Sequence, residues 1–197
     1  NNLANSYKAL NHNDKAEEIY KKVLKKDPKN IKCLNNFSNL KQILRDYESA
    51  KKLLLIAAET DSKNVDILYN LAECYQSLGQ PEQAKDYAYK ILNIQPNHTA
   101  AHRFICGIIN HKSDNSHLPK IIEIEQSDNF KNFSIDEKKD IYFSLGKVYE
   151  DLKDYKKSFS YLEKANSIKN KEINYNLSAH EKLINSIIKL FDDFDFE

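Results

Sequence analysis

The sequence predicts an all-α repeat architecture, and three observations predict it. Small and apolar residues recur at a fixed step of 34 residues. Pro28 and Pro96 lie two such steps apart, with Ser62 midway. Helix-start signals recur along the chain: Ser134 with Glu137 reads as a capping box, Asp14 with Glu17 as a similar one, and Pro81 suits a first helical turn. A period of this size marks a chain of stacked supersecondary units, none of which buries its apolar face alone.

The columns can be followed in order. Leu3, Phe37 and Leu71 keep the step, followed by Ala4, Ser38 and Ala72. Ala16, Ala50 and Ala84 form the next column, then Tyr20, Leu54 and Ala88, then Val23, Ala57 and Ile91. This step, with these residue classes, resembles the tetratricopeptide repeat (TPR). The resemblance implies a right-handed α-solenoid in which each unit is a first helix, a turn and a second helix, with small residues where the two cross.

On that pattern the first unit spans 1–30 with a truncated start, the second 31–64 and the third 65–98. The third is the clearest: Leu68, Leu71, Ala72 and Tyr75 supply its first helix, Gly79 its turn, Ala84 the crossing and Pro96 the stop. The fourth, 99–138, is divergent, with Cys106 at its small position and an insertion of about six residues expected between Asn110 and Ser134. In the fifth, 139–172, Gly146, Leu162 and Ala165 keep their columns and Ser158 replaces the crossing Ala. The remainder, 173–197, reads as a closing helix from Ser178 to Phe191, with Leu183, Ile184, Ile187 and Ile188 on one face, and an acidic tail that includes Asp192 and Asp193. About five repeats and a C-terminal capping helix make about eleven helices. A chain that begins at Asn1 and holds no Met reads as trimmed, processed or a piece of something longer.

Composition excludes several functions. Only Gly79, Gly107 and Gly146 occur, each isolated, so no dinucleotide fingerprint or phosphate-cradling loop can be built. A net charge of +1 gives no support for nucleic-acid or membrane-surface binding, and no apolar run is long enough to span a bilayer. Cys33, Cys74 and Cys106 have neither metal-ligand nor redox spacing and read as core filler. His98 and His102 sit one helical turn apart but lack a third ligand; together with His111 and His117 they read as polar surface histidines. No metal, cofactor or catalytic constellation is expected, and the absent secretory signal leads us to expect a cytoplasmic location.

The TPR resemblance implies that ligands lie on the first-helix face, which lines the concave groove. Its column at position 6 reads Asn2, Asn36 and Asn70; position 9 reads Asn5, Asn39 and Glu73; position 5 reads Asn1, Asn35, Tyr69 and Arg103. An Asn side chain offers one acceptor and two donors, so such a column can grip a peptide backbone without reading its side chains. It is similar to the asparagine ladder of TPR-bearing glycosyltransferases. Codon bias is the competing explanation, because the chain carries 22 Asn, and 28 Lys against 2 Arg. The carboxylate clamp for chaperone tails is not expected, since Asp66 and Asn70 stand where cations belong and Lys32 and Arg103 do not complete the set.

A more specific resemblance lies in the last third. The run Tyr142–Leu152, with Asp154–Phe159 and Ala165–Lys169, is similar to the final repeat of bacterial TPR-containing sulfotransferases. It implies that a catalytic domain follows Glu197 and that this chain is its acceptor-recruiting or dimerising arm. The sequence therefore predicts a non-catalytic scaffold for a protein or peptide ligand, with groove residues Asn2, Asn5, Asn36, Asn39, Tyr69, Asn70, Glu73 and Arg103. A homodimer built on exposed Tyr and Phe is the remaining alternative.

Overall fold

A computed structural model describes residues 2–173 together with 181, 182 and 184–186. Over the described residues 2–173, ten α-helices follow one another in pairs: α1 (Asn2–Ala9) and α2 (Asn13–Lys26), α3 (Ile31–Ile43) and α4 (Tyr47–Thr60), α5 (Val65–Ser77) and α6 (Pro81–Ile94), α7 (Thr99–Ile108) and α8 (Leu118–Gln126), α9 (Ile135–Asp151) and α10 (Tyr155–Ile173). A 3₁₀ turn over Asp128–Asn132 precedes α9. There is no strand among the described residues, nor any helix long and apolar enough to cross a membrane. The expected closing helix over 178–191 lies outside the described residues except for the few named above, as does the Asp192–Asp193 pair.

Side-chain caps start α3, α5, α7 and α9. Asn30 and Asn64 accept from the N–H groups of Cys33 and Ile67 at 2.9 and 3.3 Å, and His98 Nδ1 accepts from Ala101 N–H at 3.1 Å. These caps are 34 residues apart, and each satisfies a donor that the helix leaves orphaned. Ser134 and Glu137 form the reciprocal box expected of them. Asp14 and Glu17 do not. Helix α2 begins at Asn13, which places Asp14 inside the first turn, and His12 at the cap makes no side-chain bond. Glu17 instead holds Lys21 at 2.8 Å and reaches across to Lys41 of α3 at 3.1 Å.

The turn inside each regular pair uses one backbone device. Asn11, Arg45, Gly79 and Lys153 all have positive φ, between 59° and 72°. In each turn the next residue's N–H returns to a carbonyl five residues back: Tyr7, Lys41, Tyr75 and Tyr149. This is a Schellman closure, which satisfies the orphan carbonyls at a helix end and reverses the chain.

The reversed helices meet on small residues. Ala4, Ala16, Ala50, Ala57, Ala72 and Ala84 are completely buried. Gly146 lies against Leu162, and the buried Ser158 hydroxyl donates to the Gly146 carbonyl at 2.9 Å. Four apolar clusters run along the array, each drawing on more than one pair; one joins Leu34, Ala50 and Leu54 of α3 and α4 to Ile67 and Leu71 of α5. The core is thus a seam between units, as expected of a solenoid.

The stretch 99–134 departs from this plan. Helix α7 ends after ten residues at Ile109, whose backbone is extended (φ −73°, ψ 139°), so no left-handed residue turns the chain back. A loop over 109–117 follows, then α8, nine residues long with Pro119 in its first turn. Helix α7 packs on α6 and α9, while α8 lies against α9.

Candidate functional site

The face shared by α3, α5, α7 and α9 carries two adjoining hollows. The first, about 340 Å³, takes Asn35 and Asn39 from α3, Asp66, Tyr69 and Asn70 from α5, and His98 and Ala100 at the start of α7. The second, about 400 Å³, takes Tyr69 and Gln76 from α5, Arg103, Phe104 and Gly107 from α7, and Asp140 from α9. Tyr69 belongs to both and divides the track. Its ring is half-buried between His98 and Phe104, with centroids at 6.2 and 6.0 Å. Desolvation, with Glu73 and Asp140 nearby, raises its phenol above the ordinary value, so it is a neutral donor and acceptor at physiological pH.

The Asn columns are only partly brought together. Asn70 Nδ2 donates to Asn35 Oδ1 at 2.7 Å, so the link between neighbouring units runs diagonally from position 6 to position 5. Asn39 lines the same hollow. Asn36 is half-buried on α3 and lines neither hollow. Asn5 is committed to the Tyr20 hydroxyl, which donates to its Oδ1 at 2.5 Å. Asn2 is exposed on α1. Glu73 is exposed overall, yet desolvation holds its carboxyl above the usual carboxylate range.

Arg103 is already engaged. Its Nη1 donates to Asp140 Oδ1 at 3.0 Å, and its guanidinium lies 5.0 Å from the centre of the Phe143 ring. The other Asp140 oxygen accepts from the Thr99 hydroxyl at 3.2 Å. An arginine paired in this way is not a free receptor for a terminal carboxylate. Asp140 and Phe143 were not anticipated as groove residues, although a signal existed: Ala84 and Ser158 differ by 74, and the same offset carries Asp66 to Asp140 and Tyr69 to Phe143. His98, Gln76 and Phe104 also line the hollows and are not among the groove residues that the sequence predicts.

The histidines are not the surface residues expected. His102, His111 and His117 are 0–1% exposed. His102 Nδ1 lies 2.9 Å from His117 Nε2, and His102 Nε2 lies 2.8 Å from the Pro96 carbonyl. His111 Nε2 lies 3.3 Å from the Cys106 carbonyl. Carbonyl partners make burial tolerable, and the irregular loop folds inward to reach them. Among the described residues, no group of three or more His, Cys, Asp and Glu is arranged to hold a metal ion. The cysteines are buried; desolvation raises Cys74 to about 11 and Cys106 to about 12, so both remain thiols at neutral pH.

The array is matched by known proteins. Tetratricopeptide-repeat models match residues 1–30, 43–105 and 139–172, together more than half of the chain. No curated protein matches the sequence. Among solved structures, MamA is similar over 88% of this chain and 98% of its own (21% identity, TM-score 0.66). PilF of Pseudomonas aeruginosa is similar over 93% of this chain and 79% of its own (19% identity, TM-score 0.63). YrrB, described as a TPR protein with an unusual peptide-binding site, is similar over 92% of this chain and 89% of its own (21% identity, TM-score 0.61). At these identities the likeness speaks for the fold alone. With the 34-residue step, the repeated Schellman turns, the alanine crossings and the three matched stretches all in agreement, the chain belongs to the tetratricopeptide-repeat family.

Proposed function

We propose that this chain is a non-catalytic, cytoplasmic scaffold that holds an extended polypeptide along the α3–α5–α7 face. One observation carries this reading: the hollow walled by Asn35, Asn39 and Asn70 beside Tyr69. The Asn70–Asn35 bond fixes both amides and leaves Asn70 Oδ1 and the Asn35 amide group to face a peptide. Backbone N–H and C=O groups are the partners such a mixed donor and acceptor set suits. The ring of Tyr69 adds a flat apolar platform for one ligand side chain. YrrB, with its unusual peptide-binding site, agrees with this use of the fold.

The test is a peptide-array screen followed by calorimetry. Replacing Asn39 and Asn70 together by Ala should weaken a captured peptide at least tenfold, because two polar contacts of about 1 kcal/mol each are lost. The melting temperature should fall by no more than a few degrees. Unchanged affinity would remove the groove assignment.

A second reading rests on the sequence of α9 and α10, which resembles the last repeat of TPR-containing sulfotransferases. In it, the same face presents a polypeptide acceptor to a catalytic domain. Reading the parent gene beyond Glu197 tests this directly: a strand and a Gly-rich phosphate loop support it, and any other continuation removes it.

A further inference from the structure

The buried histidines of the irregular unit form a connected device. His102 projects from α7, and His117 is the residue before α8. Because Pro96 offers only a carbonyl, His102 Nε2 must carry the proton it donates there. His102 Nδ1 is therefore an acceptor, and His117 Nε2–H is the donor that fills it. By the same reasoning, His111 Nε2–H donates to the Cys106 carbonyl. Its Nδ1 is then a buried acceptor with no partner. His102 must be unprotonated at Nδ1 for the bond between the two rings to exist. A proton added to His102 Nδ1 would place two N–H groups face to face.

The surroundings do not welcome charge. From α6, Tyr89 meets the His117 ring edge-on, 6.1 Å away. From α8, Lys120 repels a proton on either ring; His98 adds to this at His102, and His111 at His117. Asp114 is the one carboxylate that favours charge on His117, and it is exposed in the loop, its Oδ1 accepting from both the N–H and the hydroxyl of Ser116. On α9, Asp140 is taken up by Arg103, and Asp151 by Lys147 at 2.7 Å. Glu123 of α8 lines, with Lys120 and His102, a cavity of about 390 Å³ between α6 and α8.

We propose that the fourth unit is an acid-opened latch: proton uptake by the His102–His117 pair frees the 109–117 loop and the start of α8 from α7, while the regular units stay closed. Opening widens the cavity between α6 and α8 and uncovers the apolar wall contributed by Leu92 and Ile124. The sign follows from linkage. Desolvation lowers the proton affinity of both rings in the closed form, His117 down to about 3, from an ordinary value of 6.5. The open form takes up protons as pH falls below 6.5 and the closed form does not, so the latch holds above that value and weakens from there towards 3.

Hydrogen-exchange mass spectrometry of the whole chain at pH 7.5 and 5.0, corrected for intrinsic exchange rates, tests this. His117 alone should raise the opening constant of 105–126 by about 30-fold between those pH values, and His102 adds to it. Protection in 47–77 should hold steady over the same interval. His117→Gln keeps a donor for His102 while removing one titration, so its acid response should shrink. His98→Asn keeps the α7 cap, as at Asn30 and Asn64, and should leave the response intact. Should His117→Gln misfold, the wild-type comparison still decides. Flat protection across 105–126, or an equal loss in every unit, overturns the latch, as does an acid response abolished by His98→Asn.

Discussion

Helices α5 and α6 show what the repeat does when the chain obeys it; α7 and α8 show what happens one period later, when it does not. Both stretches begin with a capped first helix, at Asn64 and at His98. They diverge at the first turn. Gly79 adopts positive φ and folds α6 back on α5, whereas Ile109 is extended and sends the chain away. The place beside α7 that a second helix would take is shared with α9. A single backbone conformation thus decides whether a unit closes on itself or borrows its neighbour. The borrowed arrangement is sealed with imidazoles where the regular one is sealed with alanines.

The largest effect expected is on the regular seam. Leu71 is fully buried in the cluster that joins α3, α4 and α5. Leu71→Ala should cost about 4–5 kcal/mol, the upper part of the range for buried aliphatic truncation. Ile121 of α8 is equally buried but sits on a nine-residue helix that leans on α9. Ile121→Ala should cost about 2–3 kcal/mol, because a short, singly supported helix can settle into the space. Urea unfolding followed by circular dichroism measures both. Equal losses would mean that α8 is as firmly built in as α5, and the contrast would fail.

Next in size is a pair of identical substitutions with opposite signs. A Cβ on Gly146 would meet Leu162 Cδ2 at 2.7 Å and Cγ at 2.9 Å, whereas one on Gly107 meets nothing within 4 Å. Gly146→Ala should destabilise by about 1–3 kcal/mol through overpacking of α9 on α10. Gly107→Ala should stabilise by about 0.5–1 kcal/mol through helix propensity alone. Two stabilising or two destabilising results would show that close packing does not distinguish these helices.

These contrasts also explain what could be read from the sequence. Columns such as Ala16, Ala50 and Ala84 announced the helix crossings because close approach of two backbones tolerates few residue types. Gly79 announced its turn for a different reason, because a left-handed backbone favours a residue without a Cβ. Arg45 and Lys153 occupy the same left-handed place without a residue-type signal, because a neighbouring bond network can hold a side chain there. The groove was legible as a face, but its pairings were not. Nothing in three aligned asparagines says that Asn70 reaches Asn35 and leaves Asn36 aside, since that depends on the offset between helices. The histidines were misread because surface polarity is the ordinary expectation for His in an irregular segment. Their burial depends on carbonyls, at Pro96 and Cys106, that composition does not reveal.

The smallest effects test the turn itself. At the shared left-handed position an L side chain costs about 1 kcal/mol relative to glycine. Gly79→Ala should therefore lower stability by about 1 kcal/mol, although its Cβ would meet open space. Arg45→Gly and Lys153→Gly should each gain somewhat less, because added freedom in the unfolded chain offsets part of the relief. Asn11→Gly should gain least, as Asn tolerates this conformation better than Arg or Lys. In a domain of this size about 1 kcal/mol moves the melting temperature by about 2–4 °C, which calorimetry resolves. Ile109→Gly supplies the opposing arm. That residue is extended and 8% exposed, so glycine there relieves no strain and removes buried apolar surface. A stabilised Ile109→Gly variant would mean that α7 needs only a permissive residue to recover the regular turn. A destabilised one would mean that the exit at Ile109 is held by its own packing.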